Sequence, residues 1–228
     1  MKKKIFGIFF TFMLMCVFPV FASAAPSTSV DTTGILPAKV SAGYAHFFAN
    51  GTPITIEART DGQAGATIKW EGGALNVGPK TIVFGGSHDA DVETSSVTMN
   101  GGTVNHVYGG GLHDAEVSTA EVTINGGTVN YVVGGGAAST NWTNCSNIPT
   151  VLDSDAAQNR VLSATTEING GNILLVYGGG EGYGYVGTAN VAVTAGTIGY
   201  LTAGGSNGYT ISSQVVMTGG NVDIYQNV

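Results

Sequence analysis

The sequence predicts an all-β chain: a single-stranded parallel β-helix solenoid with 24–25-residue coils and an N-terminal β cap. Three observations predict it. Residues 97–111 read VTMNGGTVNHVYGGG and residues 122–136 read VTINGGTVNYVVGGG, almost the same fifteen letters 25 positions apart. Glycine pairs then recur at Gly101-Gly102, Gly126-Gly127, Gly170-Gly171, Ala195-Gly196 and Gly219-Gly220, in steps of 25, 44, 25 and 24. A period of that size with strand-like content marks a solenoid in which each repeat is one turn of chain. The third observation is the pattern inside each repeat. Five residues before the second glycine stand Val97, Val122, Thr166, Val191 and Val215, and three before it stand Met99, Ile124, Ile168, Val193 and Met217. Two residues past it come Val104, Val129, Ile173, Ile198 and Val222. The residues between the first two columns are mostly polar or small, which is the alternation of a half-buried strand.

Taken in chain order, residues 1–24 read as a signal peptide. Lys2, Lys3 and Lys4 precede an apolar run, and Ala22-Ser23-Ala24 supplies the small-residue cleavage signal. Residues 25–65 lack the period. AKVSAGYAHFFA and TPITIEA read there as two strands with turn residues Asn50-Gly51 between them, a cap over the raw edge of the first coil. Residues 66–228 carry the coils, and the 44-residue step adds an inserted loop at about 137–164. The asparagine column Asn100, Asn125, Asn169 sits where strand meets glycine turn, suited to bonding at a bend or along the stacking axis. NVDIYQNV stops in mid-coil with no cap, an edge that a partner or another copy would cover by self-association.

Composition narrows the partners. The formal charge of −7 falls to −10 once the three leader lysines are gone, which argues against nucleic acid and anionic membranes. No second hydrophobic span follows the leader. Cys145 is the only cysteine after it, so no intrachain disulfide forms in the mature chain. No phosphate loop, nucleophile elbow or cysteine metal cluster is present.

The inward aliphatic columns, the corner asparagines and the GG and GGG turns resemble right-handed parallel β-helices of the pectate-lyase-like superfamily. More narrowly, the NGGTV…VYGGG repeats are similar to those of exported bacterial surface and adhesin-type proteins. The resemblance spans roughly residues 66–228. It implies the fold; the superfamily's functions range over lyases, hydrolases, adhesins and phage spikes.

Two loci carry candidate chemistry. The inserted loop holds Asn141, Trp142 and Asn144, with Asp153, Asp155 and Arg160 further along. A tryptophan beside amides suits a sugar, whose ring faces are apolar and whose hydroxyls need partners; alternatively Trp142 folds back to close the coil. The second locus is the echo SHDADVET at 87–94 and LHDAEVST at 112–119. In register, Asp89 and Asp91 would lie about 4.8 Å from Asp114 and Glu116, a spacing that costs about 1 kcal/mol in water and about 3.5 at an effective dielectric near 20. Four such carboxylates are candidate Ca2+ ligands; a solvated acidic face is the other reading. Tyr183 and Tyr185 are expected to follow them on the next coil, turning an acidic strip into a tyrosine strip. The column His106, Tyr131, Leu175, Tyr200 breaks strict alternation, so its direction stays open.

The function expected is a secreted or cell-surface, non-catalytic module, adhesive or binding an extracellular polysaccharide or cell-surface glycan. The glycan-binding residues would be Trp142, Asn141, Asn144, Tyr183, Tyr185 and Arg160. A polysaccharide lyase or hydrolase acting at the 137–164 loop is the alternative, and Arg160 within about 6 Å of the carboxylates would favour a lyase.

Overall fold

The computed structural model describes residues 26–29, 45–88, 90–112, 115–138, 159–182 and 184–226. The leader expected over 1–24 and most of the expected inserted loop lie outside them. The chain is all-β, a curled mixed sheet of fourteen strands with no helix among the described residues. The strands are β1 Ser27–Ser29, β2 His46–Phe48, β3 Ile54–Ala58, β4 Ala66–Trp70, β5 Gly73–Val77, β6 Ile82–Phe84 and β7 Val92–Met99. They continue as β8 Thr103–Tyr108, β9 Glu116–Ile124, β10 Thr128–Val133, β11 Arg160–Tyr177, β12 Tyr185–Thr202, β13 Tyr209–Met217 and β14 Asn221–Gln226.

Two parallel ladders account for the repeat. In the first, β3, β7, β9, the start of β11, the start of β12 and β13 lie side by side. In the second, β2, β6, β8, β10, the end of β11, the end of β12 and β14 do the same. Equivalent letters are neighbours in space. Val97 pairs with Val122, Val122 with Thr166, Thr166 with Val191, and Met99 with Ile124. Val104, Val129, Ile173, Ile198 and Val222 line up likewise in the second ladder.

The sheet curls so that these rows meet in one core containing Met99, Ile124, Ile168, Val107, Val132 and Val176. Each buried aliphatic side chain there contributes about 1.5–3 kcal/mol relative to exposure. Thr166 is the exception in its column: it is fully buried and its hydroxyl finds no hydrogen-bond partner among the described residues. Thr166→Val restores the apolar row, so it is expected to raise the unfolding free energy by about 1 kcal/mol, read from urea midpoints. An unchanged or lower midpoint would show that the hydroxyl is satisfied.

Both corners keep the pairing going. At one, the second glycine of each pair takes a positive φ, from 83° to 103°, while Asn125 N–H donates to Met99 O at 2.7 Å and Thr128 N–H to Gly102 O at 2.9 Å. The corner asparagines form an axial chain. Asn125 Nδ2 donates to Asn100 Oδ1 at 2.9 Å, Asn169 Nδ2 to Asn125 Oδ1 at 3.1 Å, and Thr194 Oγ1 to Asn169 Oδ1 at 2.7 Å. Among the described residues the non-glycine positive φ values belong to Asn50, Asn159 and Asn207, so this column serves the stacking axis and not a left-handed bend. At the other corner, glycine makes room for the next repeat: a Cβ on Gly110 would sit 2.8 Å from Val161 Cγ2, and one on Gly135 would sit 2.6 Å from Val186 Cγ2.

Asn50 and Gly51 do turn the chain, with φ of 53° and 78°. They do not close a hairpin. β2 and β3 on either side enter different ladders, both as parallel neighbours of later repeats. Among the strands, antiparallel pairing is confined to the far edge, where β1 pairs with β2 and β3, β4 and β5 form a meander. At the opposite edge the row of β13 and β14 exposes Ile211, Val216, Met217, Ile224 and Tyr225.

Candidate functional site

The strands of the first ladder begin with an inward valine followed, three residues on, by an inward small residue. Val92, Val117, Val161 and Val186 point inward, packing with Ala120, Ala164 and Ala189 into a small apolar cluster under the glycine corner. The residues flanking these valines therefore face outward. Register places Glu116 beside Arg160, Arg160 beside Tyr185, and Tyr185 beside Tyr209. Asp91 stands at the head of the column, its Oδ1 accepting the Glu116 backbone N–H at 2.9 Å.

Arg160 is the centre of this column. Its Nη1 lies 3.1 Å from Glu116 Oε2, and its guanidinium carbon lies 5.9 Å from the centroid of the Tyr185 ring. Both ionic side chains are about one-third exposed (33% and 34%), so solvent screening holds the pair to about 1 kcal/mol or less. Its value is positional: a guanidinium tied at one end to a carboxylate presents a fixed donor edge next to an aromatic face. Beside the ion pair runs a groove of about 250 Å³ lined by Asp91, Val92, Glu93, Glu116 and Ser118. On the other side of Arg160 the wall becomes apolar. Leu162 and Ile211 are exposed and Gly187 stands between them in sequence alignment, where a Cβ would meet Leu162 O at 2.6 Å. Around the bend, Thr94, Thr119, Ser163, Thr188 and Ser212 form a register-matched hydroxyl column with one rung per repeat.

Of the residues expected from the sequence, Asp91, Glu116, Arg160 and Tyr185 fall on this one strip. Asp89, Asp114, Asn141, Trp142, Asn144 and Tyr183 lie outside the described residues. Among the described residues no group of three or more His, Cys, Asp or Glu side chains is disposed to hold a metal ion. Asp91 and Glu116 already accept from protein donors. One expectation needs correction: the row after the acidic residues is Arg160, and Tyr185 comes one row later. The signal was present in the spacing. Asp91, Glu116, Arg160, Tyr185 and Tyr209 each stand eleven residues before the second glycine of their repeat, at 102, 127, 171, 196 and 220. Counting forward from the preceding glycine cluster skips over Arg160, because the 44-residue step intervenes.

A second group escaped sequence reasoning. Val104 and Val107 both enter the main core, so His106 turns to the opposite face of its ladder. There it stacks on Tyr131 at 4.2 Å and 4°, while Phe48, Phe84 and Tyr108 form a stacked column at 5.0 and 4.6 Å. The Tyr108 phenol donates to Glu181 Oε2, and both residues are buried. Burial pushes the Tyr108 phenol well above its ordinary range, and the Glu181 charge pushes it the same way. Burial raises Tyr177 too.

Compared with protein-family models, curated proteins and solved structures, the chain has no match.

Proposed function

We propose that the two ladders wind as a parallel β-helix of the pectate-lyase-like kind, and that the chain is an exported, non-catalytic module binding extracellular polysaccharide. The ligand lies along the strip from Asp91 to Tyr209. The observation that supports this reading is Arg160, fixed between Glu116 and Tyr185, with a groove on the far side of Glu116 and the exposed Leu162 on its own strand. A pyranose ring offers apolar faces to tyrosine and hydroxyls to a guanidinium or carboxylate, and the strip sets these groups side by side, one row per repeat. Asp91 and Glu116, together with Asp89 and Asp114, remain the proposed Ca2+ ligands, so cation dependence belongs in the test.

Affinity electrophoresis through a panel of neutral, amino and uronic polysaccharides, with Ca2+ or with a chelator, tests the proposal. Wild type is expected to be retarded by at least one member. Tyr185→Ala is expected to weaken that retardation by roughly three- to tenfold, corresponding to about 1 kcal/mol for an aromatic contact. Arg160→Ala is expected to weaken it comparably. Absence of retardation by every polymer in both conditions would overturn the binding reading.

A second reading rests on the closeness of Arg160 to Glu116, since a uronate lyase needs a cation beside acidic groups. A guanidinium can neutralise a substrate carboxylate; proton removal would fall to another group. Release of unsaturated uronate, seen as new ultraviolet absorbance, would favour that reading over simple binding.

A further inference from the structure

The sequence contains five Asn-Gly pairs, at 50–51, 100–101, 125–126, 169–170 and 207–208. Chemically they are equivalent. In each, the backbone nitrogen of the glycine can attack the asparagine carboxamide carbon, since glycine offers no side chain to hinder the approach. The fold treats them differently.

Asn100, Asn125 and Asn169 have their carboxamides tied into the axial chain, bonded at 2.9, 3.1 and 2.7 Å to one another and to Thr194. To bend toward its own backbone, such a carboxamide must first break out of the chain. At Asn50 the nucleophile is held instead. Gly51 N–H donates to Gly85 O at 2.9 Å, and Asn50 N–H to Gly86 O at 3.1 Å, within the continuous bonding of the corner. At Asn207 the carboxamide is untied, and the backbone is held through its neighbours, with Ser206 N–H donating to Gly180 O and Gly182 N–H to Ser206 O, both at 2.9 Å. Asn207 is exposed, it sits at φ 57°, and no hydrogen bond to its side chain is found among the described residues. Its backbone pairing is an isolated antiparallel bridge to Glu181, outside both ladders.

We propose that Asn207-Gly208 is a self-modification site, where the folded protein deamidates while its other four Asn-Gly pairs are protected. The Gly208 nitrogen bonds to the Asn207 side-chain carbonyl carbon, and the amide proton leaves with the NH2 group as ammonia. The five-membered succinimide that results is opened by water at either carbonyl. One opening leaves an ordinary aspartyl linkage and the other a β-linked isoaspartyl linkage. No oxidant or reductant is involved. Each event makes the formal charge one unit more negative than −7 and sets the new carboxylate across the bridge from Glu181, which is 9% exposed.

The test is peptide mapping by mass spectrometry of the intact, folded chain held in mildly alkaline buffer, with isoaspartate quantified enzymatically. The gain of about one mass unit is expected at position 207 at least roughly tenfold faster than at 50, 100, 125 or 169, the factor that one net hydrogen bond at the upper end of its usual strength provides. In strong denaturant all five should convert at similar rates, because the distinction belongs to the fold. Asn207→Gly keeps a residue that accepts positive φ and should abolish the fast phase without changing the unfolding midpoint. Equal rates at all five sites in the folded chain, or a folded chain in which position 207 stays unmodified while another pair converts, would overturn the proposal.

Discussion

Gly127→Ala should destabilise the protein by about 3 kcal/mol. Gly127 holds a φ of 95°, where an L side chain brings Cβ against the following carbonyl at about 1–2 kcal/mol. The added methyl would also sit 2.5 Å from Met99 Cε and 2.7 Å from Gly102 O. The methionine end can swing away, but the carbonyl cannot, since Gly102 O accepts the Thr128 N–H at 2.9 Å as part of the corner. Overpacking of this kind costs about 1–3 kcal/mol more. Gly72→Ala is the internal control. Gly72 has a φ of 88° but nothing within 4 Å of its Cβ position, so it incurs the conformational term alone. Chemical denaturation of both variants separates the two contributions. Equal losses would mean that contact between repeats adds nothing at Gly127.

Tyr108→Phe should cost about 2–3 kcal/mol at neutral pH, because it strips a buried carboxylate of its phenol donor. The pH dependence gives it a distinctive signature. The folded protein holds the Tyr108 proton more tightly than the unfolded chain, whose tyrosines ionise near about pH 10. Below that value both states keep the proton and this group leaves stability level. Above it the unfolded chain binds fewer protons than the folded one, so stability falls as pH rises toward the higher folded value. The wild type should therefore lose stability steeply above about pH 10, and Tyr108→Phe, less stable at the outset, should lose it less steeply. Urea midpoints at neutral and strongly alkaline pH decide the matter; parallel slopes would exclude Tyr108 as the source. Tyr177, also raised by burial, accounts for part of the residual slope in the variant.

The main core was legible because it obeys a period. Val97, Val122 and Val191, or Met99, Ile124 and Ile168, announce themselves by distance from a glycine pair, and register confirms each neighbour. The axial asparagine bonds were legible for the same reason. Where periodicity lapses, so does the reading. Two residues after an inward Val104, His106 would share its face under strict alternation, and only the simultaneous burial of Val104 and Val107 shows that the strand skips a beat. β2 and β3 carry too few periodic residues to reveal that they belong to the two ladders. The Tyr108–Glu181 contact joins residues 73 positions apart across the insertion, and no local spacing encodes it. The strip around Arg160 lies between these cases, visible to a count made backward from the glycines and hidden from one made forward.

The 44-residue step has a last consequence. Strands on either side of it, β10 and β11, pair residue for residue as closely as β8 and β10 do without any interruption. The ladder thus keeps its register whether 25 or 44 residues separate equivalent rungs, and doubling a loop's length in general costs only about 0.6 kcal/mol of closure entropy. This junction is a natural socket, a point where foreign sequence can be spliced in and displayed while the stacked frame beneath keeps its alignment.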